Sequence, residues 1–592
     1  MSVVKQIKPL VTKALKELYN FDVDEDDLTI NITKPEFEGD YTLVLFSFVK
    51  TLKKSPEVIG KELGDLLTAQ HATIFHSYNV IKGFLNLTIT NDYWINFLQT
   101  NFLAVHFGKK EPNGITVVVE YSSPNTNKPL HLGHLRNIFL GWSATEILKA
   151  NGYEVFKTCV ANDRGIHICK SMLGYQKFGD SATPKSTNVK GDHFVGDYYV
   201  QFEQVYKEQV KDLVSSGVNE EEAKKEAPMM KEAQKMLHDW EQGEPEVLTL
   251  WKKMNEWVYQ GFDETYKRIG NEFDKVYYES DTYIIGKRFV EEGLQKGVFF
   301  KKQDGSVCID LTADGLDEKL VLRKDGTSLY ITQDLGLADE KYKDFQYNES
   351  FYVIADEQNY HMNVLKLILQ KLKKPYADGI YHLSYGLVEL PTGRMKTREG
   401  NVVDADDIMD EMVSVAAKHT EELGKVKDFS EAELKELYDI IGLGALRFFL
   451  LRVDPKKKMI FNPEESIDFH GFTGPFVQYT HARIKSILRK GKADPTYKLG
   501  SNELLPGEKE LIVLLEQYPV MLEQAAEEHN PSVLAIYAFT VAKTYNTFYA
   551  EHSVMNAESA DKKQLRLQLS EMTANVISSA MHLLGINVPE RM

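Results

Sequence analysis

Two histidines three residues apart, His131 and His134, flank Leu132 and Gly133 and open a stretch in which Leu135, Ile138, Phe139, Trp142 and Ile147 recur at helical spacing. Side chains three apart share one helix face. Backbone N–H groups at a helix start, with the helix dipole, attract phosphate, and Gly133 has no side chain to obstruct a nucleotide. Donors aimed at phosphoryl oxygens stabilise the charge that grows when a carboxylate attacks the α-phosphate of ATP, a step that needs no base because the nucleophile is already ionised. The same four letters also fit structural or metal-binding histidines on an ordinary helix.

The elements that must position this pair are legible around it. Residues 115–120 form a short β-branched apolar run ending in Glu120, of the kind buried in a parallel sheet. A loop over 121–130 leads into the helix from His131, Asn151-Gly152 supplies its stop, and 155–160 reads as a second strand. Strand, loop, helix, strand is a βαβ unit, which predicts a doubly wound parallel sheet. Residues 171–270 interrupt the alternation with charged helical stretches and read as an insertion, after which 351–355 and 380–387 resume the strands. Residues 1–110 read as a small α+β unit with strands near 41–46 and 84–89, closed by the turn Glu111-Pro-Asn-Gly114. From about 405 the pattern is helical to the end, with Pro463, Pro475, Pro506 and Pro531 marking boundaries. The expected architecture is multidomain α/β: an N-terminal α+β domain over 1–110, a Rossmann-type domain with a helical insertion over 111–405, and an all-α domain over 406–592.

A chain of 592 residues, 43% hydrophobic and 27% charged, is large enough for several cores and falls among globular proteins. No apolar run reaches the roughly 18 residues of a membrane span. The first sixteen residues carry Lys5, Lys8, Lys13 and Lys16 but no Arg and one Ser, which disfavours a transit peptide, so a cytoplasmic location is expected. Cys159, Cys169 and Cys308 form no CxxC pair, so neither a disulfide framework nor a structural zinc site is expected. A net charge of −17 argues against nucleic acid unless cations cluster locally, as Lys456, Lys457 and Lys458 do, and again Arg483, Lys485, Arg489, Lys490 and Lys492.

The eighteen residues Glu120-Tyr-Ser-Ser-Pro-Asn-Thr-Asn-Lys-Pro-Leu-His-Leu-Gly-His-Leu-Arg-Asn137 resemble the signature region of arginyl-tRNA synthetases, in which a class I HIGH motif follows an acidic strand end and an SSPN loop. Further segments resemble that family along most of the chain: Ala161-Asn-Asp-Arg-Gly165, Leu329-Tyr-Ile-Thr-Gln-Asp-Leu-Gly336 and Ala355-Asp-Glu-Gln-Asn-Tyr-His361. Arg394-Met-Lys-Thr-Arg-Glu-Gly400 resembles the KMSKS loop, departing from it at Thr397, where a second lysine is expected. Gly444-Ala-Leu-Arg447, Pro475-Phe-Val-Gln-Tyr-Thr-His-Ala-Arg-Ile484 and Pro589-Glu-Arg-Met592 resemble its helical anticodon-binding domain.

The resemblance implies an arginine–tRNA ligase that uses ATP with Mg2+, needs no protein-bound metal or prosthetic group, and acts as a monomer on L-arginine and tRNA(Arg). It implies that activation waits for tRNA. It places His131, His134 and Gly133 on the ATP phosphates, and assigns the pyrophosphate to Lys128, Lys396 and Arg398, with Met395 beside the nucleotide. Arginine falls to Glu120, Ser122, Asn125, Tyr330, Asp334 and Gln358, which suits a guanidinium because its planar fork of donors is best met by carboxylates and oxygen acceptors. The RNA falls to Phe84 and Asn86 in the N-terminal domain and to Tyr479, His481, Arg483, Tyr545 and Tyr549 in the helical one, by stacking or phosphate contact. A class I synthetase for another amino acid and a catalytically inactive RNA-binding paralogue are the rival readings.

Overall fold

The computed structural model describes residues 2–34, 36–327, 329–389, 403–422, 428–500 and 503–592. The N-terminal unit is a four-stranded antiparallel sheet of β1 (Ile30–Ile32), β2 (Tyr41–Val44), β3 (Phe75–Ile81) and β4 (Phe84–Ile89), in the order β1-β2-β4-β3. Lys82 and Gly83, both left-handed at φ 50° and 83°, make the two-residue turn between β3 and β4. Phe46 begins a helix instead of extending β2, and β1 and β3 are additions to the expected pair.

The valines at 117, 118 and 119 of β5 (Thr116–Glu120) are fully buried, as both faces of a parallel sheet require. Beside β5 lie β6 (Glu154–Ala161) and β7 (Lys275–Tyr278). A small three-stranded sheet follows, made of β8 (Phe300–Lys301), β9 (Val307–Ile309) and β10 (Lys319–Leu322), whose two- to four-residue strands are too short for periodicity to announce. The main sheet is completed by β11 (Glu349–Ala355) and β12 (Ile380–Tyr385), giving five parallel strands in the order β12-β11-β5-β6-β7. The chain leaves β5 toward β6 on one side and returns at β11 on the other. A crevice therefore opens at the carboxyl ends of β5 and β11, where ligands of doubly wound sheets bind.

Between β6 and β7 run the helices Ile166–Phe178, Gly191–Ser215, Glu220–Glu226, Pro228–Glu241 and Pro245–Arg268, so the helical insertion begins slightly before 171. Buried Asp163 ties it to the end of β7 by accepting hydrogen bonds from the Ser280 N–H (2.8 Å), the Ser280 hydroxyl (2.7 Å) and the Tyr259 hydroxyl (2.9 Å). The C-terminal part is helical, and Pro463, Pro475 and Pro506 each stand in the first turn of a helix, where a missing N–H costs nothing.

Two buried arginines tie the sheet-bearing part to later segments of the chain through main-chain acceptors. Arg136, two residues beyond His134, donates to the carbonyls of Leu387 (3.1 Å), Pro455 (3.2 Å) and Lys457 (2.8 Å). Arg447 donates to the carbonyls of Gly585 (2.5 Å) and Ile269 while its guanidinium lies over the Phe139 ring at 4.5 Å.

Candidate active site

The signature helix spans Leu132–Ala150 with His131 as its N-cap in extended conformation. The Gly133 N–H donates to His131 Nδ1 at 3.1 Å, and the His131 N–H donates to His134 Nδ1 at 3.1 Å, a reciprocal cap built from two imidazoles whose centroids are 3.8 Å apart. A Cβ on Gly133 would stand 2.9 Å from His131 Cε1, so glycine there admits the ring itself as well as any ligand. The Leu132 N–H donates to the Val403 carbonyl (2.9 Å) and the His134 N–H to the His131 carbonyl (2.8 Å). The first-turn N–H groups expected to face phosphate are therefore spent within the protein, and outward donation passes to the imidazoles.

The imidazole protonation follows from this geometry. Burial, then the charge of Lys128, pushes His131 down to about 4, and burial, His131 and Lys128 push His134 far below its ordinary value. Both rings are neutral near pH 7, and because each Nδ1 accepts a hydrogen bond, each proton resides on Nε2. The turn presents two N–H donors without charge.

Glu120 ends β5 at the crevice. Its Oε1 accepts from the Ser123 hydroxyl at 3.3 Å, while its Oε2 is ion-paired with the fully buried Lys341, whose ammonium also lies 3.9 Å from the Tyr352 ring centroid. Burial pulls the Lys341 pKa down, against Glu120 and Asp334, which both favour its charge. Of the two acids singled out in the sequence, Glu120 is paired directly with this cation supplied by the chain, and Asp334 favours its charge from further off. Asp334 and Lys341 sit seven apart on the helix Tyr330–Phe345, sharing a face. Asp334 further holds His361, with Nε2 to Oδ2 at 2.6 Å, and this hydrogen bond raises the His361 pKa.

Other sequence-singled residues are placed differently. Ser122 and Ser123 are consecutive left-handed residues (φ 71° and 43°), and Ser122 turns its hydroxyl inward to Tyr266 (2.7 Å). The buried amide of Asn137 accepts from the Ser122 N–H (2.5 Å) and donates to the Val353 carbonyl (2.6 Å), fixing the loop to β11. Asn125, Lys128 and Gln358 are exposed around the crevice, and Tyr330 is 77% exposed at the first position of its helix. Gly393, Met395, Lys396 and Arg398 lie outside the described residues.

Glu279 was missed by sequence reasoning, although it follows β7 at the same carboxyl edge that carries Glu120. Burial, outweighing nearby Arg164 and aided by Asp163 and Asp334, raises its pKa to about 7. As pH rises through that value the crevice gains a negative charge, so the KM for a cationic substrate is expected to fall between pH 6 and 8. Glu279→Gln should flatten that dependence in a pH series of initial rates, and an unchanged slope would remove Glu279 from the site.

On the RNA-candidate faces, Phe84 is half-buried and packs edge-on to exposed Phe46 at 5.4 Å. Asn86 is 1% exposed, accepting from the Thr42 hydroxyl (2.7 Å) and donating to Asn79 (2.8 Å), so its amide is engaged inside the sheet. In the helical domain, Arg483 lies over the Tyr479 ring (5.0 Å) and the Tyr549 ring (6.0 Å), a surface cluster from two helices. Tyr545 is 0% exposed with its hydroxyl on Ser570 (2.9 Å), and His481 is buried against the Pro589 carbonyl (3.0 Å).

Comparison with known proteins accords with this geometry. The family model described as "tRNA synthetases class I (R), catalytic domain" matches residues 98–462, "DALR anticodon binding domain" matches 477–592, and "Arginyl tRNA synthetase N terminal domain" matches 5–89. The chain is 53% identical to an arginine–tRNA ligase of Amoebophilus asiaticus and 51% identical to one of Flavobacterium psychrophilum, in each case over 100% of both chains. The solved arginyl-tRNA synthetase of Thermus thermophilus superposes with a TM-score of 0.81 at 25% identity, covering 100% of both chains. On these grounds the chain belongs to the arginyl-tRNA synthetase family of class I aminoacyl-tRNA synthetases.

Proposed function

We propose that this class I synthetase joins L-arginine to tRNA(Arg) at the crevice between β5 and β11, in two steps. The arginine carboxylate forms a bond to the α-phosphorus of ATP as the bond to the bridging oxygen breaks, releasing pyrophosphate. A hydroxyl of the terminal tRNA adenosine then attacks the acyl carbon, and AMP leaves. His131 and His134 donate their Nε2 protons to the α-phosphate oxygens as charge accumulates there. Lys128, at the mouth of the turn, and Lys396 and Arg398 attract the departing pyrophosphate. Mg2+ enters with ATP, held by phosphates and water more than by a protein cage.

Glu120 and Asp334 receive the guanidinium, with Tyr330 and Gln358 at the rim and Asn125 on the amino-acid backbone. The observation that carries this reading is the pair of Nδ1-capped imidazoles at the start of the helix that follows β5, the strand that ends in Glu120 at the sheet's switch point. Tyr479, Arg483 and Tyr549 form the RNA contact of the C-terminal domain, and Phe84 that of the N-terminal one. The division at 110 and 405, a monomeric state and a cytoplasmic setting complete the proposal. No helix of the described residues is long and apolar enough to cross a membrane.

Amino-acid-dependent pyrophosphate exchange tests it. Exchange with arginine alone among the amino acids, and only when tRNA is present, is the expected pattern. Strong exchange with a neutral amino acid would overturn the specificity, and strong exchange without tRNA the dependence. Tyr549→Ala should weaken tRNA binding by about 1–3 kcal/mol through lost stacking, read by filter binding at fixed salt, with arginine KM unchanged.

A further inference from the structure

Where the insertion meets the start of the helix Ala405–Glu422, five ionisable side chains crowd together outside the crevice. The ammonium of Lys190 lies 3.1 Å from Asp192 Oδ2, 2.7 Å from Asp406 Oδ2 and 2.6 Å from the Thr265 hydroxyl. His193 Nε2 lies 3.3 Å from carboxylate oxygens of both Asp404 and Asp406, aligned as a hydrogen bond with neither, so this contact is one of charge. Asp192 is fully buried, and its Oδ1 faces Gly261, where a Cβ would come within 2.3 Å of it. One turn along the same pair, a Cβ on Gly191 would stand 1.9 Å from the Trp257 carbonyl, so the helices Gly191–Ser215 and Pro245–Arg268 touch closely through glycines. Asp192, His193 and Asp406 could suggest a divalent cation, but Lys190 already sits between the two carboxylates.

Asp404 does more than pair with His193. It caps its helix, accepting from the Asp406 N–H at 2.8 Å, and forms an antiparallel bridge with His131. On either side of that bridge the Leu132 N–H donates to the Val403 carbonyl (2.9 Å) and the Ala405 N–H to the Leu130 carbonyl (3.0 Å). The backbone that sets the His131 ring is thus paired with a segment whose own position is held from the insertion.

We propose that Lys190 and His193 are positioning residues for the catalytic histidine turn, holding the 403–406 segment from the helical insertion and through it the backbone of His131. The inference rests on His131 and His134 being the phosphate donors. The charged groups acting on His193 are Lys190 and Asp192 from its own side and Asp404 and Asp406 from the helix they begin; the neutral Thr265 on the third helix meets Lys190 and Asp406. Burial opposes its charge, but Asp406, Asp404 and Asp192 outweigh burial and lift its pKa above the ordinary 6.5. The charged form, and the hold it adds, is therefore full in mild acid and is lost as pH rises through that lifted value.

The test is arginine-dependent pyrophosphate exchange by the full chain with tRNA present. Lys190→Met should lower kcat by about a hundredfold, the scale of a misplaced reacting group, with arginine KM within about twofold, and Lys190→Arg should restore most of the loss. Wild-type kcat should decline as pH rises above 6.5, and His193→Gln should abolish that decline. A folded Lys190→Met with wild-type kcat, or a His193→Gln profile superimposable on wild type, overturns the proposal; if Lys190→Met does not fold, the His193→Gln profile decides. His134→Ala separates the two levels: undiminished exchange there refutes the donor role itself, whereas a crippled His134→Ala beside unaffected Lys190 and His193 variants refutes only this inference.

Discussion

His134→Ala lowers kcat for arginine activation by about a hundredfold or more, the cost of losing one preorganised donor to a developing oxyanion. The loss should fall on kcat and leave the KM for arginine unchanged, because the guanidinium acids are untouched. A second consequence is mechanical: the His131 N–H loses the Nδ1 it donates to, so the first turn should fray and His131 with it. His134→Gln, which retains an acceptor and a donor in one side chain, should recover part of the rate. Since burial and Lys128 hold His131 down to about 4 and burial holds His134 well below its ordinary value, neither ring should produce an inflection near pH 7. Steady-state exchange at saturating ATP decides the matter, and a His134→Ala enzyme with undiminished kcat would take the residue out of the chemistry.

Lys341→Met destabilises the catalytic domain by about 3–5 kcal/mol, because it strands the Glu120 carboxylate in a buried place with its counter-charge removed. The double change Glu120→Gln with Lys341→Met should recover most of that stability, since two neutral side chains of similar size owe no desolvation penalty. Arginine should raise the melting temperature of Lys341→Met more than that of wild type, the guanidinium supplying the missing cation beside Glu120 and Asp334. Thermal melts of the three proteins with and without arginine give all three comparisons. A Lys341→Met midpoint equal to wild type would show that the pair carries no net energy.

Much of the fold was legible before any coordinates. The valine run of β5, the apolar spacing after His131 and the Asn151-Gly152 stop are local signals, and each survived because tertiary context agreed with it. Glu120 and Asp334 were legible as acids near one strand end and one helix. What escaped was direction. Ser122, Asn86 and Tyr545 carry polar groups suited to a ligand, but two left-handed serines, a sheet interior and a helix-packing face turn those groups inward, and residue type does not encode facing. Lys341 escaped for the opposite reason: lysine is so seldom fully buried that its seven-residue spacing from Asp334 drew no attention. The Ala161–Gly165 segment matched the family by letters, yet its Asp163 proves to be a bolt between insertion and sheet.

Arg136 and Arg447 direct their hydrogen bonds to carbonyl oxygens, so the seam between the sheet domain and the later helices tolerates sequence drift on the acceptor side while demanding a fixed trace of the chain. A chimera that grafts a relative's C-terminal half onto this enzyme must therefore import the turn through Pro455 and Lys457 in register, whatever letters it carries. A dissection that ends the catalytic fragment at 405 would leave a guanidinium two residues from the reactive imidazole with a single remaining acceptor, Leu387, and so trade a shorter gene for a crippled first turn.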